Sequence, residues 1–532
     1  MFLISVACSQ VASAQTLGEP AAPGAATMPR WLSQWSPLQL TGDLPRELPG
    51  TVSLPSLLTL PAPRVGSFWS AGNPAALPSD VPDSYAQFRF GVNRSHGSYK
   101  RPLDAGNDTR IGGTALGWKD LTSNGAAIGR LVVDHLDQND GAHANVLLPH
   151  SSNPFVVLDT IGDQMSGIVM KLDGAGGWRI GKLGAGLGLG YESREIRTVA
   201  SPVPRRNDVS AAAINGGLDY ELANGALQLG VFGRWEQMAQ TVLVSSTPPE
   251  RTRIYVLTGY YEPTAIEPLG YSRRSDRNAG ALGISATGSV EGVRWTVFGQ
   301  SERMNEKQSV ALENEPPADE WDADGWTVGF SAQTMLGDSL FLLTVTGRYS
   351  SLAGQAVRMD LEEINLEADE TEWDLGGELR YLVRSGWTGA LVLGTGRYSR
   401  QRQDLLARVG SDLNAWTPAA AIEVARYLPW GLALSAGVGY AAHAPWGSVP
   451  TPSEMSPAYQ KWIAPELQLY GTDATTLTGT MALLWQAGPA LSVWIQGTTA
   501  SLSPSTGSGT TPILPDGSRK RSSIQIGLTM NR

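Results

Sequence analysis

The sequence predicts an all-β chain, a transmembrane antiparallel up-and-down β-barrel of about 18 strands, within a range of about 14 to 18. Three observations carry this reading. The stretch "LGAGLGLGYE" (183–192) splits by twos into Leu183, Ala185, Leu187, Leu189 and Tyr191 on one side, and Gly184, Gly186, Gly188, Gly190 and Glu192 on the other. A strand sends alternate side chains to opposite faces, so one face is continuous and apolar and the other nearly bare. No run of about 18 uncharged apolar residues exists, which leaves no helix able to span a bilayer. Short and long connections alternate along the chain, as the turns and loops of an outer-membrane barrel do.

Composition agrees. Among 532 residues only 17% are charged, 61 are glycine and 42% are hydrophobic, and the mean hydropathy is −0.14. Apolar residues that alternate with small and polar ones give this balance; apolar helices do not. The net charge of −10 argues against nucleic acid as partner, because phosphate binding needs concentrated Lys and Arg. Cys8 is the only cysteine and the five histidines have no paired spacing, so neither a disulfide framework nor a cysteine-based metal site is expected, and no cofactor.

In chain order, residues 1–14 read as a signal peptide. The apolar run Phe2 to Ala7 precedes Ala12-Ser13-Ala14, a small-x-small cleavage pattern with Gln15 as the mature start. The missing basic stretch places the true start codon upstream. A lipoprotein signal with Cys8 acylated is the weaker alternative, because Ser5 stands where such signals carry Leu. Residues 15–80 form a Pro/Ala-rich segment, either a periplasmic linker or a lumen plug. Its prolines break helix and ladder, and disorder is expected for its first half. Trp31, Trp35 and Trp69 nevertheless suggest that parts of it pack against something.

Residues 81–532 read as the barrel. "SYAQFRFGV" (84–92) sets Ala86, Phe88, Phe90 and Val92 against Gln87 and Arg89. "LQLGVFGRWEQ" (227–237) sets Leu229, Val231 and Trp235 against Gln228, Arg234 and Glu236. The same alternation recurs at 293–300, 326–333, 372–382 and 523–531, in units of the roughly 9 to 11 residues that a tilted strand needs to cross a bilayer. Tryptophans cluster at strand ends, at Trp118, Trp178, Trp235, Trp295, Trp326, Trp373, Trp387, Trp416, Trp430 and Trp485, as an interfacial girdle would place them. Short links such as Asp120–Asn124, Ser289–Gly292 and Leu428–Trp430 alternate with long polar loops near 136–163, 193–207, 239–275, 304–323, 351–370, 401–414, 441–473 and 502–519. Both barrel ends then fall on the short-turn side. A soluble β-propeller would repeat a blade motif that is absent here, and a sandwich array would need more outward charge.

"WSAGNPAALP" (69–78) resembles the Asn-Pro-Ala element that opens many outer-membrane barrels, fatty-acid-transporter-like (FadL-type) and secretion-associated ones among them. "GSYKRPLDAG" (97–106), "NPFVVLDTIGDQ" (153–164), "PVPRRNDVSAAAINGGLDYEL" (202–222) and "LTGYY" (257–261) resemble a domain-of-unknown-function family of bacterial outer-membrane barrels. These segments cover about the first half of the chain. The resemblance implies a barrel of that membrane and supplies no activity, ligand or catalytic residue. One departure is the end, "LTMNR". Such barrels commonly finish on an aromatic residue read by the assembly machinery, so this end is expected either to weaken that recognition or to hand the role to Met530.

Three sets of residues could carry chemistry. In "VNRSHGSY" (92–99), Asn93, Ser95 and His96 are the residue types of a rim lipase, whose imidazole takes the serine's proton. Neighbours on a strand diverge, and Asn, Ser and Gly here predict a turn, so a loop is the expectation. The acidic stretches 312–324 and 359–374 offer carboxylate oxygens but no calcium-loop spacing, and read as solvated extracellular loops. The inward positions Gln87, Arg89, Arg234, Glu236, Arg294, Arg348, Asp374, Glu378 and Arg380 are the candidate lumen lining, either a wall-bridging network or a field that filters solutes.

The expected function is a porin-like outer-membrane channel for passive or partner-gated passage of small solutes, without enzymatic activity. A structural or docking barrel of a secretion or surface assembly with a filled lumen is the alternative, and a lipid-modifying hydrolase the third. The expected partners are outer-membrane lipid and lipopolysaccharide, with a protein partner on the long loops.

Overall fold

A computed structural model describes residues 58, 65–80, 84–144, 153–199, 205–244, 254–257, 264–266, 271–310, 319–337, 340–358, 361–382, 386–448, 459–488, 490–504 and 517–531. Residues 1–14, which the sequence reads as a signal peptide, most of the Pro/Ala-rich segment, Trp31 and Trp35 lie outside the described residues. The strands are β1 (Tyr85–Gly97), β2 (Asn107–Thr122), β3 (Gly125–Ala144), β4 (Val156–Ile180), β5 (Leu183–Thr198), β6 (Arg205–Leu222) and β7 (Leu227–Val244). A small loop hairpin, β8 (Ile254–Leu257) and β9 (Thr264–Ile266), precedes β10 (Tyr271–Val290), β11 (Val293–Val310), β12 (Asp319–Leu336), β13 (Phe341–Arg358), β14 (Glu363–Tyr381) and β15 (Trp387–Asp404). The chain ends with β16 (Val409–Trp416), β17 (Ala419–Tyr427), β18 (Leu432–Ser448), β19 (Ala474–Gln486), β20 (Leu491–Pro504) and β21 (Arg519–Asn531).

Neighbouring wall strands pair antiparallel, and β1 pairs with β21 from Tyr85↔Asn531 to Gly97↔Arg519, which closes the sheet on itself. β16 and β17 are one wall position. Pro418 has no N–H to give the ladder, yet β15 pairs with both pieces in one unbroken register, Arg397↔Trp416 and Gly394↔Ala419. With β8 and β9 outside the wall, the barrel has 18 strands.

The outer face is apolar where the alternation predicts. On β5, Leu183, Leu187, Leu189 and Tyr191 are exposed outward, while Gly184, Gly188, Gly190 and Glu192 are buried inward. Phe88, Phe90 and Val92 on β1 and Ile524 and Ile526 on β21 continue the band. Trp178, Trp387, Trp430 and Trp485 stand exposed on the outside near the short turns. Trp118 does not belong to this girdle. It is buried on the inner face and stacks on Tyr85 at 4.2 Å. Period-two parity puts Trp118 inside with Leu116, and its place near a strand end misled the girdle assignment.

The strands are longer than the sequence predicts, because the ladder continues past the bilayer. Above Tyr191 the outward positions of β5 become Ser193, Glu195 and Arg197, and Arg206 and Asp208 follow on β6. Hydrophobic alternation stops there, whereas hydrogen bonding between the strands does not. The acidic stretches are corrected for the same reason. Asp319–Asp324 is already strand β12 and Glu363–Asp374 is strand β14, so these parts are barrel wall and not loop.

Placing a charge in the apolar band tests this frame. Leu187→Arg is expected to cost about 2–4 kcal/mol in denaturant unfolding from lipid vesicles, and Ser193→Arg, above the band, about 0–1.

Candidate functional site

The inward glycines of β5 and β6 have a specific occupant. Residues 65–80 enter the barrel at its short-turn end as a short helix (Ser67–Ala71), a single 3-10 turn (Pro74–Ala76) and a last helical turn (Leu77–Asp80). Gly72 ends the first helix in the left-handed conformation at φ 75°, where a side chain would be strained. Asn73 caps the next turn, its Oδ1 accepting from Ala75 N at 3.1 Å, and Pro74 follows at a position that needs no N–H. The Asn73 amide also donates to Leu218 O at 3.4 Å, and Asn215 donates to Gly72 O at 3.3 Å. A Cβ on Gly177 or Gly186 would overlap the backbone of Pro74, and one on Gly217 the side chain of Asn73. The Asn-Pro-Ala element and the bare wall are therefore one fitted contact.

The rest of the plug is held by an apolar nest and three polar links to the wall. Phe68, Trp69 and Leu77 are fully buried and cluster with Tyr85, Leu116, Trp118 and Ile128, with Trp69 edge-on to Trp118 at 5.6 Å. Ser67 Oγ meets Ser285 Oγ at 2.5 Å and Ser70 Oγ meets Ser331 Oγ at 2.7 Å. Arg294 Nη2 donates to Asp80 Oδ1 at 2.6 Å, while Asp80 Oδ2 accepts from Phe68 N at 2.7 Å. Burial pushes the Asp80 carboxyl up to about 6, against the opposing pull of Arg294 and the Phe68 N–H. The segment thus spans from β5 and β6 to β10, β11 and β12.

All nine candidate lining residues face inward, and the structure divides them into three groups. Gln87 and Arg89 are buried at the closure seam, where Gln87 donates to Thr529 at 3.2 Å and Arg89 to Gln525 at 2.6 Å. Arg294 belongs to the plug. Arg234, Glu236, Arg348, Asp374, Glu378 and Arg380 line the wall beyond it. Arg234 lies within electrostatic reach of Glu236, Glu302 and Arg348, and Arg380 pairs with Glu378 at 2.6 Å. Arg234, Arg348, Asp374 and Glu378 keep partial solvent access, and the inward Thr346 is exposed. Water-accessible space therefore remains along β13 and β14.

Residue-by-residue reading of the sequence missed several buried inward pairs. Arg130 meets Asp173 at 2.5 Å, Lys171 and Arg194 both meet Glu192 at 3.0 Å, Arg277 meets Glu306 at 2.6 Å, and Arg400 meets Glu370 at 2.8 Å. Strand parity applied to β3, β4, β10 and β15 would have found their facing, but not their partners. Asp80, in a proline-rich segment without periodicity, gave no signal at all.

The Ser95 and His96 expectation is corrected. β1 runs on to Gly97 without a turn, so the two side chains diverge. Ser95 is buried inward and accepts from Arg519 Nε at 2.9 Å, while His96 is exposed outside. Among the described residues, no group of three metal-ligating side chains gathers in a way that could hold an ion.

Over the opposite mouth, loop and strand-end residues build a roof. Leu103, Val156, Leu413, Trp462, Ile463, Leu467 and Tyr470 form one buried cluster, with Tyr255 of β8 packed against it. His443 Nε2 bonds Tyr470 O at 2.8 Å and fixes the helix Ala464–Tyr470 to β18.

The model of the family of unknown function DUF6850 matches residues 74–531. The chain belongs to that family. The matched region begins inside the Asn-Pro-Ala element and runs through β21. No curated protein matches the sequence. Among solved structures, the Escherichia coli outer membrane transporter YddB is 8% identical, with 84% of this chain and 81% of that one covered and a TM-score of 0.36. A Pseudomonas aeruginosa FadL homologue is 10% identical, with 86% and 92% covered and a TM-score of 0.34. The Acinetobacter baumannii siderophore receptor PiuA is 8% identical, with 84% and 82% covered and a TM-score of 0.37. This member of the family has the fold of a bacterial outer-membrane barrel.

Two predictions follow from the plug. Gly186→Ala is expected to expel residues 66–80 while the barrel stays folded, raising amide exchange at Ala75 more than about tenfold. Gly376→Ala, inward but free of clash, is expected to change nothing. The second concerns pH. Docking raises the Asp80 carboxyl above its free value, so the docked state holds the extra proton, and docking weakens as pH rises from about 4 through about 6. Phe68 amide protection, corrected for intrinsic exchange, is expected to fall between pH 4.5 and 7.5, and Asp80→Asn to flatten that dependence.

Proposed function

We propose that the protein is an outer-membrane channel for small solutes, closed at its periplasmic end by residues 65–80 and opened when that segment is drawn out. The observation that carries this reading is the wet, charged strip of Thr346, Arg348, Asp374 and Glu378 beside the docked segment. An interior meant only as a structural core would bury or omit such charges. Charges of both signs on this one wall, with Arg348 directly opposite Asp374 across the β13–β14 ladder, sort solutes by charge and size. Drawing on the segment from the periplasm breaks the polar links to Asn73 and Asp80 and opens a path along β13 and β14.

A docking barrel with a filled lumen is the second reading, favoured by the apolar roof over the long-loop mouth. Neither reading assigns the chain a hydrolytic step. Purified protein is expected to release no fatty acid from phospholipid, and a release that Ser95→Ala abolishes would refute this.

Planar-bilayer recording separates channel from docking barrel. The intact protein is expected to pass little current, and a chain lacking residues 15–80 to pass several-fold more. Silence from both, together with capture of a protein partner by the long loops, would favour the docking barrel.

A further inference from the structure

We propose that the closure seam carries, on its outer surface, a binding site for the phosphate of an outer-leaflet glycolipid, formed by Arg94, His96 and Lys520. The outward positions of β1 run Phe88, Phe90, Val92, Arg94, His96, and those of β21 run Ile526, Ile524, Ser522, Lys520. The cations therefore begin at the step where the apolar band ends, at the level of lipid headgroups. Register brings them together. His96 lies directly opposite Lys520, and Arg94 directly opposite Ser522. Facing side chains in an antiparallel pair stand about 5 Å apart at their base, and diagonal ones about 7–8 Å, so all three donors reach one phosphate.

What marks this cluster is its lack of carboxylates. Five outward cations elsewhere at this height pair with carboxylates, Arg197 with Glu195, Arg206 with Asp208, Arg274 with Asp276, Arg303 with Asp324, and Lys307 with Glu320, while Arg397 packs over the Trp446 ring at 5.2 Å. Among the described residues, Arg94, His96 and Lys520 have no hydrogen-bonding or ion-pair partner. Their outward neighbours across β20 are the hydroxyls of Thr499 and Ser501. Asp137 is separated from β1 by Thr109 of β2 and has His135 Nε2 3.3 Å from its carboxylate. In a chain of net charge −10, unpaired cations gathered at one seam are not a consequence of composition.

The chemistry selects a phosphate held at the membrane surface. The Arg94 guanidinium offers a two-pronged donor to phosphate oxygens, and the Lys520 ammonium, the His96 ring N–H and the Ser522 hydroxyl complete the set. The acyl chains of the same lipid would lie along Phe90, Val92 and Ile524 below. The bound molecule would span the first and last strands and clip the seam from outside.

Native mass spectrometry of the full protein in detergent tests this, with three probes: diphosphorylated lipid A, the same lipid stripped of both phosphates, and inorganic phosphate. The unaltered protein is expected to hold the phosphorylated lipid at least tenfold more tightly than Arg94→Gln/Lys520→Gln. Arg303→Gln/Lys307→Gln, which removes paired cations at the same height, is expected to behave like the unaltered protein. Ser522→Asp keeps every cation but adds a negative charge among them, and is expected to abolish binding. It also serves if the double variant fails the heat-modifiability check for folding. Equal binding by the seam variants, equal loss in the control, or equal binding of the stripped lipid would each overturn the proposal. Displacement of the lipid by a few millimolar inorganic phosphate would overturn its assignment to a lipid headgroup.

Discussion

Hydrocarbon offers a backbone amide no water to bond, so each N–H and C=O that crosses a membrane must find its partner within the protein. The closed ladder meets this demand, and the pairing of β1 with β21 completes it, because an open edge would leave a row of unpaired groups in lipid. Once closure is secured by the backbone, the side chains of the two faces are released to separate tasks. The outer face only has to match its surroundings, so it is monotonous: apolar within the band and polar or charged above it. The inner face is free to differ from one sector to the next, and it does.

Three inner sectors can be told apart by what fills them. Beside the Asn-Pro-Ala element the wall is stripped to glycine, because a backbone turn lies against it and a Cβ would occupy the same space. Around β3 to β5 and around β10 and β11, buried charges meet partners on their own or the adjacent strand, as Glu192 meets Lys171 and Arg194, and as Glu306 meets Arg277 and Ser275. Removing one member of such a pair leaves its partner charged and without compensation, so these sectors are rigid by construction. Along β13 and β14, Arg348, Asp374 and Glu378 keep partial access to water.

Much of this frame is visible in the order of the amino acids. Strict alternation is local, so it identified the strands, their facing and their number, and it gave the inward side of all nine lining residues. It failed where the physical signal changes along a strand. Above Tyr191 the ladder goes on while hydropathy stops alternating, so the ends of the strands read as loop. Trp118 sits near a strand end, like the true girdle residues Trp178 and Trp485, and only parity separates them. Asn93, Ser95 and Gly97 look like turn residues, yet cross-strand pairing with Arg519, Arg521 and Ser523 holds them extended.

The sequence by itself determined the barrel, because a period of two, the length of each apolar run and the spacing of the turns are all set by neighbours along the chain. It also carried the unusual bareness of the β5 face without the reason for it. Only the tertiary structure decided what occupies that face, which inward charges meet, where water remains, and that Arg94, His96 and Lys520 from opposite ends of the chain share one patch. Each of these depends on a contact between residues far apart in sequence. Such contacts exist only once closure has brought the first strand against the last and drawn the N-terminal segment inside.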